Sequence, residues 1–402
     1  MKINKYSGCI VLIFITFCNI LISCNKSEKI NKNSNHSLQN PPIPSYSGIN
    51  FQSIFTESDS RSANDSKIKV ILNKYYKDVW ETAKLSGGIL VARGNNILLE
   101  KYSGYSNYDL KTPITATTPM HVASISKILT SLVILKLVEV GEINFDQKVN
   151  TILKNFPYSE LTIQDLLTHR SGLPNYAYLT DKNTDKTTLL SNQDILNLFS
   201  NTQPELLFKR DTQFLYSNTN FVLLALIAEK ITNTSFPSLV NYMIFKPLGM
   251  DHSYILQEKY VPYSTLSYYA NGKPYNFEYL DLIYGDKNLY TTPDDLFRLS
   301  KAMFAPNFLP KNLLEKMFTP YSNEKKGIKN YGLGMRLMVF ENGKKIVYHT
   351  GWWHGSNAIF IHLLDEKVTI IAIGNKYSRA IYSAINLTAL FGDYPLNMED
   401  LH

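Results

Sequence analysis

Ser124 and Lys127 place a hydroxyl and an amine one helical turn apart, the pairing that a nucleophilic serine and its base require. The same pattern occurs at Ser23/Lys26, Ser66/Lys69 and Ser322/Lys325, so context has to choose among them. Ser23 lies in an apolar leader, Ser66 reads as a plain N-cap of an amphipathic helix, and Ser322 borders the charged segment Asn323-Glu324-Lys325-Lys326. Only Ser124 opens a strongly apolar stretch, which runs from Ile125 to Val140 and stops at Gly141. Apolar residues on nearly all faces imply a buried helix. Such a helix holds its first turn in place, and its N-terminal amides and dipole favour negative charge developing there. A lysine on that face acts as a base only when neutral, a form that burial and a nearby cation favour. Taken alone, the pair could equally be an N-cap serine and a lysine that reaches solvent.

Two further groups bear on that choice. Tyr216-Ser217-Asn218 precedes a second apolar run, Phe221 to Ile231, and supplies a phenol and an amide; the triplet recurs at Tyr105 and Tyr321. His349-Thr350-Gly351 ends an apolar, strand-like run and occurs once. With Ser-x-x-Lys, Tyr-x-Asn and His-Thr-Gly in this order, the chain resembles the serine β-lactamase and penicillin-binding protein superfamily, in its class C β-lactamase and DD-peptidase branch. The likeness runs from about residue 66 to about residue 390 and includes the stretches 86–91, 166–174, 247–250, 331–334 and 351–355.

The resemblance implies that Ser124 attacks an amide, ester or lactam carbonyl and forms an acyl-enzyme. Lys127 and Tyr216 would share general-base and general-acid duty, in either order. Asn218 would orient the lysine or the substrate amide, and the backbone N–H groups of Ser124 and Trp352 would form the oxyanion hole. His349 would open the third motif, with Thr350 and Gly351 on the substrate edge of the strand, where a glycine lets substrate backbone approach. A lysine at that first position would be a permanent cation for a substrate carboxylate, whereas a histidine is mostly neutral at pH 7. That substitution makes an efficient β-lactamase the weaker expectation. A carboxylesterase or D-aminopeptidase-like hydrolase is the alternative within the class. In another class stands a penicillin-binding surface sensor or scaffold with little turnover.

These residues need a scaffold, and the patterning supplies one. Residues 66–84 repeat apolar positions with helical spacing, and 88–93 and 97–102 read as a hairpin turning at Gly94-Asn95-Asn96. Residues 121–327 are mostly helical in pattern. Strands return at 335–340, 345–349, 358–364 and 368–374, and a last helix is expected over 379–390. Joining both groups of strands gives an α+β (α/β) fold: one antiparallel sheet flanked by helices and interrupted by a large, mostly helical subdomain. The resemblance makes this β-lactamase/transpeptidase-like. The catalytic domain is expected over 66–392, followed by a tail at 393–402.

The remaining features bound location and partners. Lys2 and Lys5 precede an apolar run from Ile10 to Ile22, shorter than the roughly 20 residues of a membrane span, so residues 1–24 read as an export signal. Leu21-Ile22-Ser23-Cys24 resembles the bacterial lipobox, which implies lipidation of Cys24 and an exported lipoprotein held at a membrane, in the periplasm or at the cell surface. Residues 25–65, rich in Asn, Ser, Lys and Pro, would be a flexible tether. The cysteines are Cys9, Cys18 and Cys24, so neither a disulfide nor a thiolate metal site is possible beyond them. No His-Glu-x-x-His set exists, His349 and His354 alone do not make a zinc site, and no cofactor is expected. His121 and His169 read as structural. The net charge of +7 is spread over scattered lysines, which argues against a nucleic-acid partner. A Gly-x-Ser-x-Gly elbow is absent, so an α/β-hydrolase lacks its main signal. The expected partners are a small-molecule or peptide substrate and the membrane.

Overall fold

The computed structural model describes residues 48–396. Seven antiparallel strands form the main sheet: β1 (Gly87–Arg93), β2 (Asn96–Ser103), β3 (Lys329–Tyr331), β4 (Arg336–Val339), β5 (Lys345–Trp353), β6 (Ser356–Leu363) and β7 (Val368–Gly374). Their order is β2-β1-β7-β6-β5-β4-β3, so the early hairpin pairs with the last strand, as Gly87 with Gly374 through Arg93 with Val368. The α+β expectation of one sheet split by an insertion is what the chain adopts.

Both faces of this sheet are covered, which is why its central strands are unbroken apolar runs rather than alternating ones. Leu90 and Ala92 of β1 point into one core with Phe360 and Ile371; Ile89 and Val91 point into the other with Ile361 and Ile370. The second core is closed by α1 (Asp65–Tyr75), the wide π-helical turn Tyr76–Glu81 that continues it, and a 3-10 helix, Arg379–Leu390. The first core contains α2 (Ser126–Glu139), α3 (Asn218–Thr232) and α4 (Pro293–Ala302). Every residue from Ser126 to Leu137 is buried, including Lys127 and Lys136.

The mostly helical insertion also holds a three-stranded sheet, in the order Met120–His121, Leu289–Thr291, Tyr254–Ile255; strands of two or three residues have no periodicity to read. Two expectations are corrected. The tether cannot extend to residue 65. Ile49 and Phe55 are buried, Thr56 and Asp59 form a capping box on the short helix Glu57–Ser60, and Lys367 and Arg93 bind Asp59 at 2.6 Å and Asp65 at 2.5 Å. Its polar residues, which looked like linker, serve as caps and ion-pair partners. The tail likewise begins inside the domain, because Tyr394 is buried and its hydroxyl donates to Glu366. The leader, Cys24 and the rest of the tether up to residue 47 lie outside the described residues, as do residues 397–402. Among the described residues no helix is long and apolar enough to cross a membrane.

Candidate active site

Ser124 sits in a 3-10 turn, Ala123–Ile125, that leads into α2 rather than in the helix itself. Ala123 has φ +46°, a left-handed conformation that a non-glycine residue keeps only when its surroundings hold it there. Ser126 provides the hold: its Oγ donates to Ala123 O at 2.6 Å and accepts from Leu289 N at 3.0 Å. Val122 N also donates to Leu289 O at 3.0 Å. On the other side runs β5. A Cβ added at Gly351 would lie 2.0 Å from Val122 O and 3.3 Å from Ser124 N. The glycine therefore lets β5 close on the nucleophile turn, a role beside the one expected for it at the substrate edge. The pairing of β4 with β5 stops at Arg336–Tyr348, so from His349 onward that strand does not cover the edge of β5.

The Lys127 side chain is fully buried, and its Nζ donates to Ser124 Oγ at 3.0 Å and to Asp286 O at 2.7 Å. Ser124 is thus not a helix cap, and Lys127 does not reach solvent. Lys127 Nζ also lies 5.0 Å from the Tyr216 ring centroid and 5.6 Å from that of Phe221. Tyr216 is placed by the entry to α3. Thr219 Oγ1 donates to Pro174 O at 2.7 Å, while Ser217 N and Asn220 Nδ2 donate to His169 Nδ1 at 3.2 and 2.9 Å. Because Nδ1 accepts twice, the His169 proton belongs on Nε2. The His169 ring packs 4.3 Å from that of Tyr216, and burial, then the charges of Lys127 and Arg336, hold its pKa well below the usual value. His169 thus braces the entry to α3 and the ring of Tyr216. The Tyr216 hydroxyl and Asn218 Oδ1 are buried without a hydrogen-bond partner among the described residues. Buried polar atoms are nearly always paired, so these two are suited to contacts that a substrate completes.

His349 is fully buried. Its Nδ1–H donates to Thr350 O at 2.7 Å, and its Nε2 accepts from the Tyr331 hydroxyl at 3.2 Å. Burial, then Arg336 and Lys127, hold its pKa well below the usual 6.5, so the ring is neutral at neutral pH. Both ring nitrogens are engaged, which leaves neither for a metal shared with His354. The third motif therefore presents Thr350 and the exposed Trp352, with the imidazole held behind them.

Several residues near the site were not singled out in the sequence. Arg336, half-buried on β4, stands 4.8 Å above the Tyr216 ring; its Nε has no hydrogen-bond partner and no ion pair to it is present among the described residues. A lone arginine in the apolar run Met335 to Val339 was the available signal. Behind Lys127, Lys287 Nζ donates to the Tyr176 hydroxyl and that hydroxyl to Asp286 Oδ2, each at 3.0 Å. Nothing local marks that network, since it joins residues over a hundred positions apart.

Comparison with known proteins shows what the chain as a whole is similar to. The sequence model of the Beta-lactamase family matches residues 72–388. Penicillin-binding protein 4* of Bacillus subtilis (strain 168) is 31% identical over 335 residues, spanning 78% of this chain and 74% of that protein. The crystal structure of a penicillin binding protein from Bacillus halodurans superposes with a TM-score of 0.70 at 25% identity, covering 79% of this chain and 99% of that one. EstCE1, a hydrolase with promiscuous acyltransferase activity, also reaches 0.70, at 18% identity and over 82% of this chain and 100% of that one, a likeness of fold alone.

Proposed function

Because the chain belongs to the beta-lactamase family, we propose that it is a serine hydrolase in which Ser124 is acylated by an amide or ester substrate. One observation carries the reading: a fully buried amine 3.0 Å from Ser124 Oγ, beside a phenol whose hydroxyl has no hydrogen-bond partner among the described residues. As the Oγ–carbon bond forms, the serine proton passes to Lys127, directly or through Tyr216. The carbonyl oxygen becomes an oxyanion that accepts from the N–H groups of Ser124 and Trp352. Collapse breaks the bond to the leaving nitrogen or oxygen, which takes the proton back from the Tyr216–Lys127 pair. Water then attacks the acyl-enzyme by the reverse route.

The neutral, buried His349 offers no fixed cation, so Arg336 is the positive group nearest the Tyr216 ring. A carboxylate on the substrate would meet Arg336, which supports a peptide or ester that carries an anionic group; a carboxylesterase or D-aminopeptidase-like hydrolase is the second reading. The lipobox-like 21–24 supports export and anchoring through Cys24, and loss of palmitate labelling in Cys24→Ala would test that part separately.

The central test treats the full chain with a fluorescent penicillin and an activated-serine probe, and reads adduct mass. A single adduct on Ser124, absent in Ser124→Ala, is the expected result; labelling that persists in the variant removes the nucleophile assignment. Turnover of p-nitrophenyl esters, nitrocefin and a D-Ala-D-Ala peptide then ranks the substrate classes. Labelling without turnover of any of them would favour the sensor or scaffold.

A further inference from the structure

Where β5 passes the nucleophile turn and exposes Trp352, the surface opens into a cavity of about 440 Å³ lined by Trp352, Trp353, Tyr269, Tyr275, Glu278 and His354. Its walls are aromatic and mutually braced. Tyr269 stacks on Tyr275 at 3.5 Å, Tyr275 on His354 at 5.0 Å, and Trp352 Nε1 donates to His354 O at 3.1 Å while its ring stays 64% exposed. Two carboxylates stand here in different conditions. Asp281 is buried and saturated: it accepts from Trp353 Nε1 at 2.8 Å, from His354 Nε2 at 3.1 Å and from Glu278 N at 2.8 Å. The Glu278 side chain is exposed and has no hydrogen bond among the described residues; His354 Nε2 is 3.9 Å away.

We propose that this cavity is a subsite for an ammonium group on the substrate. Aromatic faces attract a cation through their quadrupoles, and a carboxylate at the rim adds a direct charge pair. An anion would meet Glu278, and a neutral group would gain neither attraction. Lys287, 5.0 Å from the Trp353 ring, does not supply the missing cation, because its Nζ is buried on Tyr176 OH, Leu280 O and Ile283 O. Glu278, Asp281 and His354 also bring ligand-type atoms within 4.8 Å of one another, but the donors already on Asp281 would have to leave before a metal ion could bind it. Trp352 adjoins Gly351, which touches the nucleophile turn, so an ammonium held here belongs to a group close to the scissile carbonyl. That last step rests on the acyl-transfer reading; binding of the cation does not.

The test separates the two. Of the chain's tryptophans, Trp352 and Trp353 line the cavity and Trp80 is buried in the core beyond the sheet, so intrinsic fluorescence of the full chain reports on this site. Titration with choline should give a saturable change that its neutral isostere dimethylbutanol does not give, and Glu278→Gln should weaken choline about tenfold. An equal response to both ligands, no response to choline, or unchanged affinity in Glu278→Gln overturns the proposal, as does tighter binding of a divalent ion that displaces choline. The kinetic arm compares kcat/KM for p-nitrophenyl trimethylammoniobutyrate with that for its neutral tert-butyl isostere. The ratio should fall about tenfold in Glu278→Gln and hold in Glu315→Gln, a surface change on another face. Choline binding without acylation by either ester would sink the acyl-transfer reading alone; acylation with a ratio near one would sink the ammonium subsite alone.

Discussion

Lys127 is the residue on which the chemistry turns, and its burial explains both its use and its cost. A buried amine needs partners, and here they are Ser124 Oγ, Asp286 O and the faces of Tyr216 and Phe221. Lys127→Met keeps the apolar stem and removes those hydrogen bonds. It should lower the rate of Ser124 acylation by about 10²–10⁴-fold, measured by stopped-flow with an activated ester, whereas a change within a factor of a few would count against Lys127 as base. Arg336 acts on charge and not on proton transfer. Arg336→Met should raise KM for carboxylate-bearing substrates by roughly tenfold while leaving uncharged esters much less affected. Equal effects on both would mean that the residue supports Tyr216 rather than substrate.

Placement belongs to the elements. β5 and the turn before α2 approach so closely that only glycine fits at 351, and Ser126 ties the same turn to Leu289 on the small sheet. Gly351→Ala would set a methyl 2.0 Å from Val122 O, so strand and turn must part. Since misplacement by about 1 Å can cost 10²-fold, kcat/KM should drop about that far while circular dichroism still reports a folded chain. Retention of full activity would show that the turn tolerates the shift and that Gly351 serves the substrate side after all. At this scale the sequence was readable where elements are long: the early hairpin, α2, α3 and the last strands fell within a few residues of their expected bounds. The three-stranded sheet and the folded segment 48–65 escaped, because short elements are fixed by pairing and capping with distant partners rather than by their own periodicity.

At the scale of the whole molecule, four imidazoles are buried among the described residues. Burial holds His121 and His362 down at about 3 and His169 and His349 well below 6.5. In the unfolded chain each takes a proton as pH falls through about 6.5, whereas in the folded chain each stays neutral to a lower pH. The unfolded state then binds more protons, so the stability is fully present above about pH 6.5 and is lost as pH falls toward the folded values. Each histidine removes roughly 1.4 kcal/mol per pH unit in that window. Thermal unfolding followed from about pH 7.5 to about pH 5 should show Tm falling steeply, with a shallower fall in His362→Gln. A Tm that is flat over that range would contradict neutral burial of these rings.

Residue type, order and apolar periodicity already determined that Ser124 heads a buried helix, that Tyr216 and Asn218 stand at the start of another, and that β5 carries the third motif. Those are local properties, and a sequence states them directly. Only the tertiary structure decided that Lys127 turns inward to Ser124, that His349 sits neutral behind the strand, that Arg336 lies over Tyr216, and that Asp286 and Lys287 close the network. Arg336 meets Tyr216, Asp286 meets Lys127 and Lys287 meets Tyr176 across more than a hundred residues of intervening chain, and the seats of Lys127 and His349 depend on which side of an element faces the core, so burial and electrostatics follow from those meetings rather than from any one segment.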